Sequence, residues 1–145
     1  MNDKLFLDTN IVFYAYDSSD PGKQIRAQVL LQQAAAGGVG VVSAQVLGEF
    51  FHATVIRKRV LTADEAEQAL RALSALEVVG IDFALVLAAI AYHRQYQLRY
   101  WDALIVAAAK QAGCVELLSE DLNDGQDYDG VRVRNPFRTS TVPKA

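Results

Sequence analysis

Short apolar runs alternate with longer amphipathic stretches along the whole chain. Leu5-Phe6-Leu7 opens the series, and the pattern predicts a buried strand over residues 4–8 and a helix over 9–17. Asp20-Pro21 reads as an N-cap with proline at the first helical position, so a second helix runs to about Ala36 and stops at Gly37-Gly38. A β-branched run over 39–42 predicts a strand, after which Ser43 caps a helix reaching about Arg59. Thr62-x-x-Glu65 is a capping box that starts a helix to about Leu76. A strand over 77–81 follows, then a long helix capped by Asp82 and ending near Gln97. A further helix over 101–112 ends at Gly113, and residues 114–118 form a strand. Residues 123–130 read as a polar loop, Val131-Arg132-Val133 as a last strand, and the tail after Phe137 as loose.

Strands alternating with helices, several of them continuously apolar, predict an α/β fold with a mainly parallel central sheet covered on both faces. In such sheets ligands bind beyond the carboxyl ends of the strands. No linker, repeat or low-complexity segment interrupts the order, so all 145 residues are expected to form one domain.

Composition narrows the picture slightly. A 52% hydrophobic content supports a real core. No apolar run reaches the roughly 18 residues of a membrane span, and residues 1–4 lack the apolar stretch of a signal peptide. Cys114 is the single cysteine, which excludes an internal disulfide and fits a cytoplasmic location. It reads as a small core residue at the start of a strand. The net charge of −3 argues against a protein that coats nucleic acid by charge alone. Basic residues do group, as Arg57-Lys58-Arg59, as Arg94 with Arg99, and as Arg132, Arg134 and Arg138. Each group reads first as a solvated face, and as a phosphate contact second.

The candidate chemistry lies in acids set among apolar neighbours: Asp8, Glu49, Asp102 and Asp121. Burying a lone carboxylate costs several kcal/mol, roughly, so something must compensate it. No Lys or Arg lies within three positions of Glu49 or within two of Asp102 or Asp121. A bound cation is the economical explanation. Asp8 and Asp121 fall at or just past strand ends. Asp102 falls at a helix N-terminus on the same side of the sheet. Glu49 projects from an apolar stripe between Val46 and Ala53. Taken singly, Asp8 also fits as a helix cap, Asp102 as a first-turn acid and Asp121 as a turn residue. Glu49 is the hardest to explain structurally. An all-carboxylate set selects a hard ion such as Mg²⁺ or Mn²⁺. Two such ions roughly 4 Å apart activate a water and stabilise the leaving oxygen of a phosphodiester.

Other motifs fail. Glu49-x-x-His52 lacks the second Glu-x-x-His of a di-iron site, and His52 reads as a helix-face residue. No His-Glu-x-x-His or phosphate-cradling Gly-x-x-x-x-Gly-Lys is present. Residues 121–125 miss the calcium-loop spacing.

Four stretches together resemble the PIN-domain ribonucleases, and among them the VapC-like toxins of toxin–antitoxin pairs. Phe6-Leu7-Asp8-Thr9-Asn10 is similar to the family's first acid motif and Gln45-Val46-Leu47-Gly48-Glu49-Phe50 to its second. Residues 100–109, around Asp102, are similar to the third and are the most specific; residues 118–125 are similar to the fourth. The resemblance spans Leu5 to about Phe137. It implies a three-layer α/β/α fold and a Mg²⁺- or Mn²⁺-dependent endoribonuclease. It also implies that Asp8 and Asp102 are central metal ligands, with Glu49 and Asp121 completing the pocket and Asp124 sharing the claim of Asp121. Thr9 and Asn10 would support the first acid and Ser119 the fourth. RNA substrate, a small antitoxin and a homodimer are the implied partners, and no membrane is. Phe13, Tyr14, Tyr16, Phe50 and Phe51 offer apolar surface for protein contacts. Tyr96, Tyr100, Trp101 and Tyr128 are candidate stacking residues for RNA. The alternatives are a receiver-like Mg²⁺-binding signalling module, disfavoured because Leu7 precedes Asp8 and residues 116–130 hold no lysine, and a non-catalytic PIN-like RNA-binding scaffold. A phosphatase of the Asp-x-Asp type is disfavoured by Asn10.

Overall fold

The protein is described from a computed structural model over residues 3–138, so the tail expectation, made for the chain after Phe137, lies outside the described residues except at Arg138. The sheet is built from β1 (Lys4–Leu7), β2 (Gly40–Ser43), β3 (Glu77–Val79), β4 (Cys114–Leu118), β5 (Asp127–Tyr128) and β6 (Val131–Arg134). The helices are α1 (Thr9–Ala15), α2 (Pro21–Ala36), α3 (Ala44–Phe51), α4 (Ala63–Leu73), α5 (Phe83–Tyr96) and α6 (Tyr100–Gln111). The sheet order is β3-β2-β1-β4-β6-β5, with helices on both faces, giving the expected three-layer α/β/α architecture. All pairings are parallel except β5 with β6.

The caps account for much of this. The side chains of Asp20, Ser43, Thr62 and Asp82 each accept a backbone N–H at the start of a helix, and Thr62 with Glu65 closes the full reciprocal box. β1 and β2 are central strands, and Phe6, Leu7, Val41 and Val42 are wholly buried. α6 supplies an unbroken buried run from Ala103 to Ala109. Gly40 is required where α2 crosses β2. A Cβ there would stand 2.8 Å from Leu76 Cδ2 and 2.9 Å from Ala34 Cβ.

Two segments differ from expectation. The helix capped by Ser43 does not continue as α-helix to Arg59. It changes at Phe51 into a π-helical turn, His52–Arg57. Lys58 N–H reaches Ala53 O at 2.9 Å, and Thr54 Oγ1 bonds back to Phe50 O at 2.8 Å. Val60 and Leu61 N–H then both fold onto Thr54 O, with Arg59 in the left-handed region at φ 55°. The polar loop at 123–130 contains β5, joined to β6 through Asp129 (φ 54°) and Gly130 (φ 93°). Two positive φ values at an Asp-Gly pair make the tight hairpin turn whose twist suits adjacent strands.

The aromatic expectations divide similarly. Phe50 is fully buried, edge-on to Tyr16 at 5.3 Å, so it is core and not contact surface. Tyr128 is buried against Tyr96 at 5.0 Å. Trp101 remains exposed, and Phe83 on α5 is the most exposed large apolar side chain among the described residues.

The chain order reverses between β1 and β4. β2 and β3 extend the sheet on one side, β6 and β5 on the other. That crevice, at the carboxyl ends, is where an open α/β sheet binds ligands.

Candidate active site

Leu7 pairs with Leu118 in register, so the next residues, Asp8 and Ser119, leave the sheet side by side at the reversal point. Asp8 N–H bonds Leu118 O at 3.0 Å and Ser119 N–H bonds Arg134 O at 3.1 Å, which fixes both backbones. Asp8 is only 7% exposed. Its Oδ1 accepts from Thr9 N–H at 2.7 Å and its Oδ2 from Ser119 Oγ at 2.7 Å. Asp8 is therefore the cap of α1 as well as the buried acid of the site. Burial pushes its carboxyl up to about 6, and the nearby charges of Asp121 and Glu49 push the same way. The hydrogen bonds from Ser119 and Thr9 pull against that rise.

The other acids are arranged around this one by a hydrogen-bond web. Thr9 Oγ1 donates to Glu49 Oε1 at 2.6 Å. Asn10 Nδ2 donates to Asp121 Oδ2 at 3.2 Å, while its Oδ1 accepts Glu120 N–H at 3.1 Å. Ser119 Oγ accepts the N–H of Asp121 at 3.1 Å. The support roles are wider than expected. Thr9 serves Asp8 through its N–H and Glu49 through its hydroxyl, Ser119 serves both Asp8 and the Asp121 turn, and Asn10 serves Asp121, not Asp8.

Burial also departs from expectation. Glu49 and Asp121 are exposed and Asp102 is intermediate, so Asp8 alone is a buried acid of this set. α3 turns Glu49 out to the crevice even though Val46 and Ala53 beside it are buried. Asp102, in the first turn of α6, has a cation partner after all. Arg99 Nε and Nη2 reach its two oxygens at 3.2 and 3.3 Å. The negative charges of Glu49 and Asp121 also act on Arg99. The i,i+3 spacing is the signal that a two-residue window overlooks.

Gln45 adds a support that the sequence motifs do not mark. It is nearly buried, and its Nε2 donates both to Glu49 Oε2 and to Trp101 O, each at 3.1 Å, which ties α3 to the start of α6. Glu120, next to Asp121, lines the same crevice but is engaged by Tyr14 and Lys23. Asp124 lies in a different cavity, where it accepts Asn135 N–H at 2.8 Å and pairs with Arg138 at 3.0 Å. Those bonds hold its carboxyl below the usual range. The crevice is brought together with Asp121, not Asp124.

The donors suit a hard divalent cation in kind, being carboxylate oxygens with one buried acid that lacks a compensating positive charge. In position they are spread. Among the described residues no three acids converge as a ready-made cage. Each rim acid is instead held by a neutral side chain or by Arg99.

The PIN domain profile matches residues 5–124 of the chain. No curated protein matches it in sequence. Among solved structures, a toxin–antitoxin complex from Klebsiella pneumoniae is similar, at 22% identity and TM-score 0.68, over 94% of this chain and 100% of that one. DNA-bound VapBC from Salmonella typhimurium is similar at 15% identity and TM-score 0.68, over 93% and 99%. VapC20 from Mycobacterium tuberculosis, a toxin that cleaves the sarcin-ricin loop, is similar at 20% identity and TM-score 0.63, over 81% and 90%.

Proposed function

Because the chain belongs to the PIN domain family, we propose that its crevice is the active site of a metal-dependent endoribonuclease acting as the toxin of a toxin–antitoxin pair. The observation that carries this reading is the placement of Asp8. It is a buried acid at the reversal point of a parallel sheet, with Glu49 and Asp121 tethered around it. Asp8, Glu49, Asp102 and Asp121 would hold Mg²⁺ or Mn²⁺. When bound, the ion supplies an activated water and stabilises charge on the phosphodiester as it is hydrolysed.

The chain's own residues perform the rest. Ser119 and Thr9 N–H hold Asp8 in one rotamer with both oxygens occupied on their protein side. Thr9, Gln45 and Asn10 hold the rim acids. The positions are thereby set before RNA arrives, which is the source of most electrostatic catalysis. A small antitoxin is the proposed protein partner, in keeping with the toxin–antitoxin complexes that share the fold. A homodimer would cover the apolar surface around Phe83 and Leu87 on α5. The cytoplasm is the proposed place of action, and among the described residues no helix is long and apolar enough to cross a membrane.

The test is cleavage of RNA by the purified protein with and without Mg²⁺ or Mn²⁺. Cleavage should need the ion, stop with chelator, and vanish in Asp8→Asn with its fold retained. A parent that cuts equally well in chelator, or an Asp8→Asn variant that cuts as fast, would overturn the reading.

A further inference from the structure

The crevice rimmed by Glu49 and Asp121 also reaches a second, oppositely charged group. One cavity of about 920 Å³ is lined by Glu49, Glu120 and Asp121 and also by Arg57, Lys58 and Phe13. Among the described residues, most Lys and Arg side chains are in ion pairs. Arg132, Arg134 and Arg138, for example, are matched to Asp127, Glu116 and Asp124. Arg57, Lys58 and Arg59 form no ion pair and no side-chain hydrogen bond among the described residues, and all are exposed. In a chain of net charge −3, this is the one run of consecutive basic residues, and it is left unneutralised beside the acids.

The backbone holds that run firmly. The π-helical turn ends with Lys58 N–H on Ala53 O, and Val60 and Leu61 N–H close onto Thr54 O, whose residue is fully buried. Arg59 occupies the left-handed region, which costs a residue with a side chain about 1 kcal/mol or more and recurs at functional sites. Without the π turn, a regular α-helix would carry Arg57 and Lys58 round to a different angle.

Resting on the ribonuclease reading, the geometry points to Arg57 and Lys58 as a phosphate-binding subsite. It would hold a single RNA strand beyond the scissile bond, with Phe13 as a face on which a base stacks. A nucleotide strand supplies both chemistries the cavity offers, phosphates for the cations and apolar base faces for the ring. An acidic peptide would satisfy Arg57 and Lys58 but carries no base to lie against Phe13.

The experiment measures binding of a fluorescent single-stranded RNA oligonucleotide in the Asp8→Asn background over a salt series. Adding Arg57→Gln with Lys58→Gln should weaken binding about tenfold and lower the salt slope by roughly 1.4, or about 0.7 for each phosphate no longer neutralised. Adding Phe13→Leu should weaken binding with the slope unchanged. Arg94→Gln, an exposed cation outside the cavity that forms no ion pair among the described residues, should change neither. In protein with its acids intact, the Arg57/Lys58 pair should raise KM by more than it lowers kcat. Unchanged affinity and slope in the pair variant would overturn the subsite while leaving the ribonuclease reading intact. So would loss of poly-glutamate binding with RNA binding retained, since the surface would then belong to an acidic protein partner. If the parent cuts no RNA with Mg²⁺ yet the slope difference persists, the ribonuclease reading fails and the subsite stands.

Discussion

Ser119 Oγ donates to Asp8 Oδ2 at 2.7 Å, and the same oxygen accepts the N–H groups of Asp121 at 3.1 Å and Leu122 at 3.3 Å. One hydroxyl thus fixes the buried acid and the turn that carries a rim acid. Ser119→Ala removes a buried hydrogen bond to a charged group and strands two backbone donors. A stability loss of about 2 kcal/mol is expected, read by denaturant unfolding. The ion concentration for half-maximal cleavage should also rise, because Asp8 is deprived of a hydrogen bond that favours its charged form. A variant as stable as the parent would show that Ser119 is incidental.

Asp8 makes stability depend on pH in a definite direction. Its folded value of about 6 lies above the ordinary 3.8, so without metal the fold prefers the neutral acid. That contribution is complete below about pH 4 and is lost as pH rises through about 6. The shift corresponds to something on the order of 3 kcal/mol. Asp8→Asn, neutral at every pH, should therefore exceed the parent in Tm above about pH 6 in chelator, and the gap should close toward about pH 4. Adding a divalent ion should raise the Tm of the parent and not of the variant. Parallel Tm curves for the two proteins in chelator would contradict the buried-charge account.

The site residues show where sequence reasoning succeeds and stops. Asp8 is legible because a strand of full apolar character ends on it, and Thr62-Glu65 because a capping box is a local hydrogen-bond pattern. The exposure of Glu49 is not legible. Apolar neighbours at i−3 and i+4 do not fix which way a side chain leaves a helix whose two flanks face core and crevice. The Ser119–Asp8 bond is out of reach because its partners meet only through strand pairing. The π turn is hidden as well, since hydrophobic spacing does not separate i→i−4 from i→i−5 bonding over six residues. The β5–β6 hairpin does carry a signal, Asp129-Gly130, within a stretch that otherwise reads as loop.

Arg99 occupies both oxygens of Asp102, and a cation binding there must compete with it. The guanidinium is largely exposed, so Arg99→Gln should change stability by less than about 1 kcal/mol. The same substitution should lower the Mg²⁺ concentration for half-maximal cleavage by roughly threefold or more. A higher Mg²⁺ requirement would assign Arg99 to the substrate and not to the resting state of Asp102.

Cys114 is 4% exposed at the start of β4, and burial, aided by the charge of Glu77, pushes its thiol up to about 12. An aromatic disulfide reagent should leave it unlabelled in the native protein and react once the chain is unfolded. Rapid native labelling would indicate that β4 opens readily.

The pairing of β1 with β4 also sets when the pocket can assemble. Asp8 and Ser119 are 111 residues apart, and the acid web draws on α1, α3, α6 and the turn after β4. On a ribosome, Asp8 emerges long before the strand that must dock beside it. An unfinished polypeptide broken off before residue 119 therefore carries its first acid and no assembled pocket. If the chain cleaves RNA as proposed, the cell making it is protected from every copy broken off before that point.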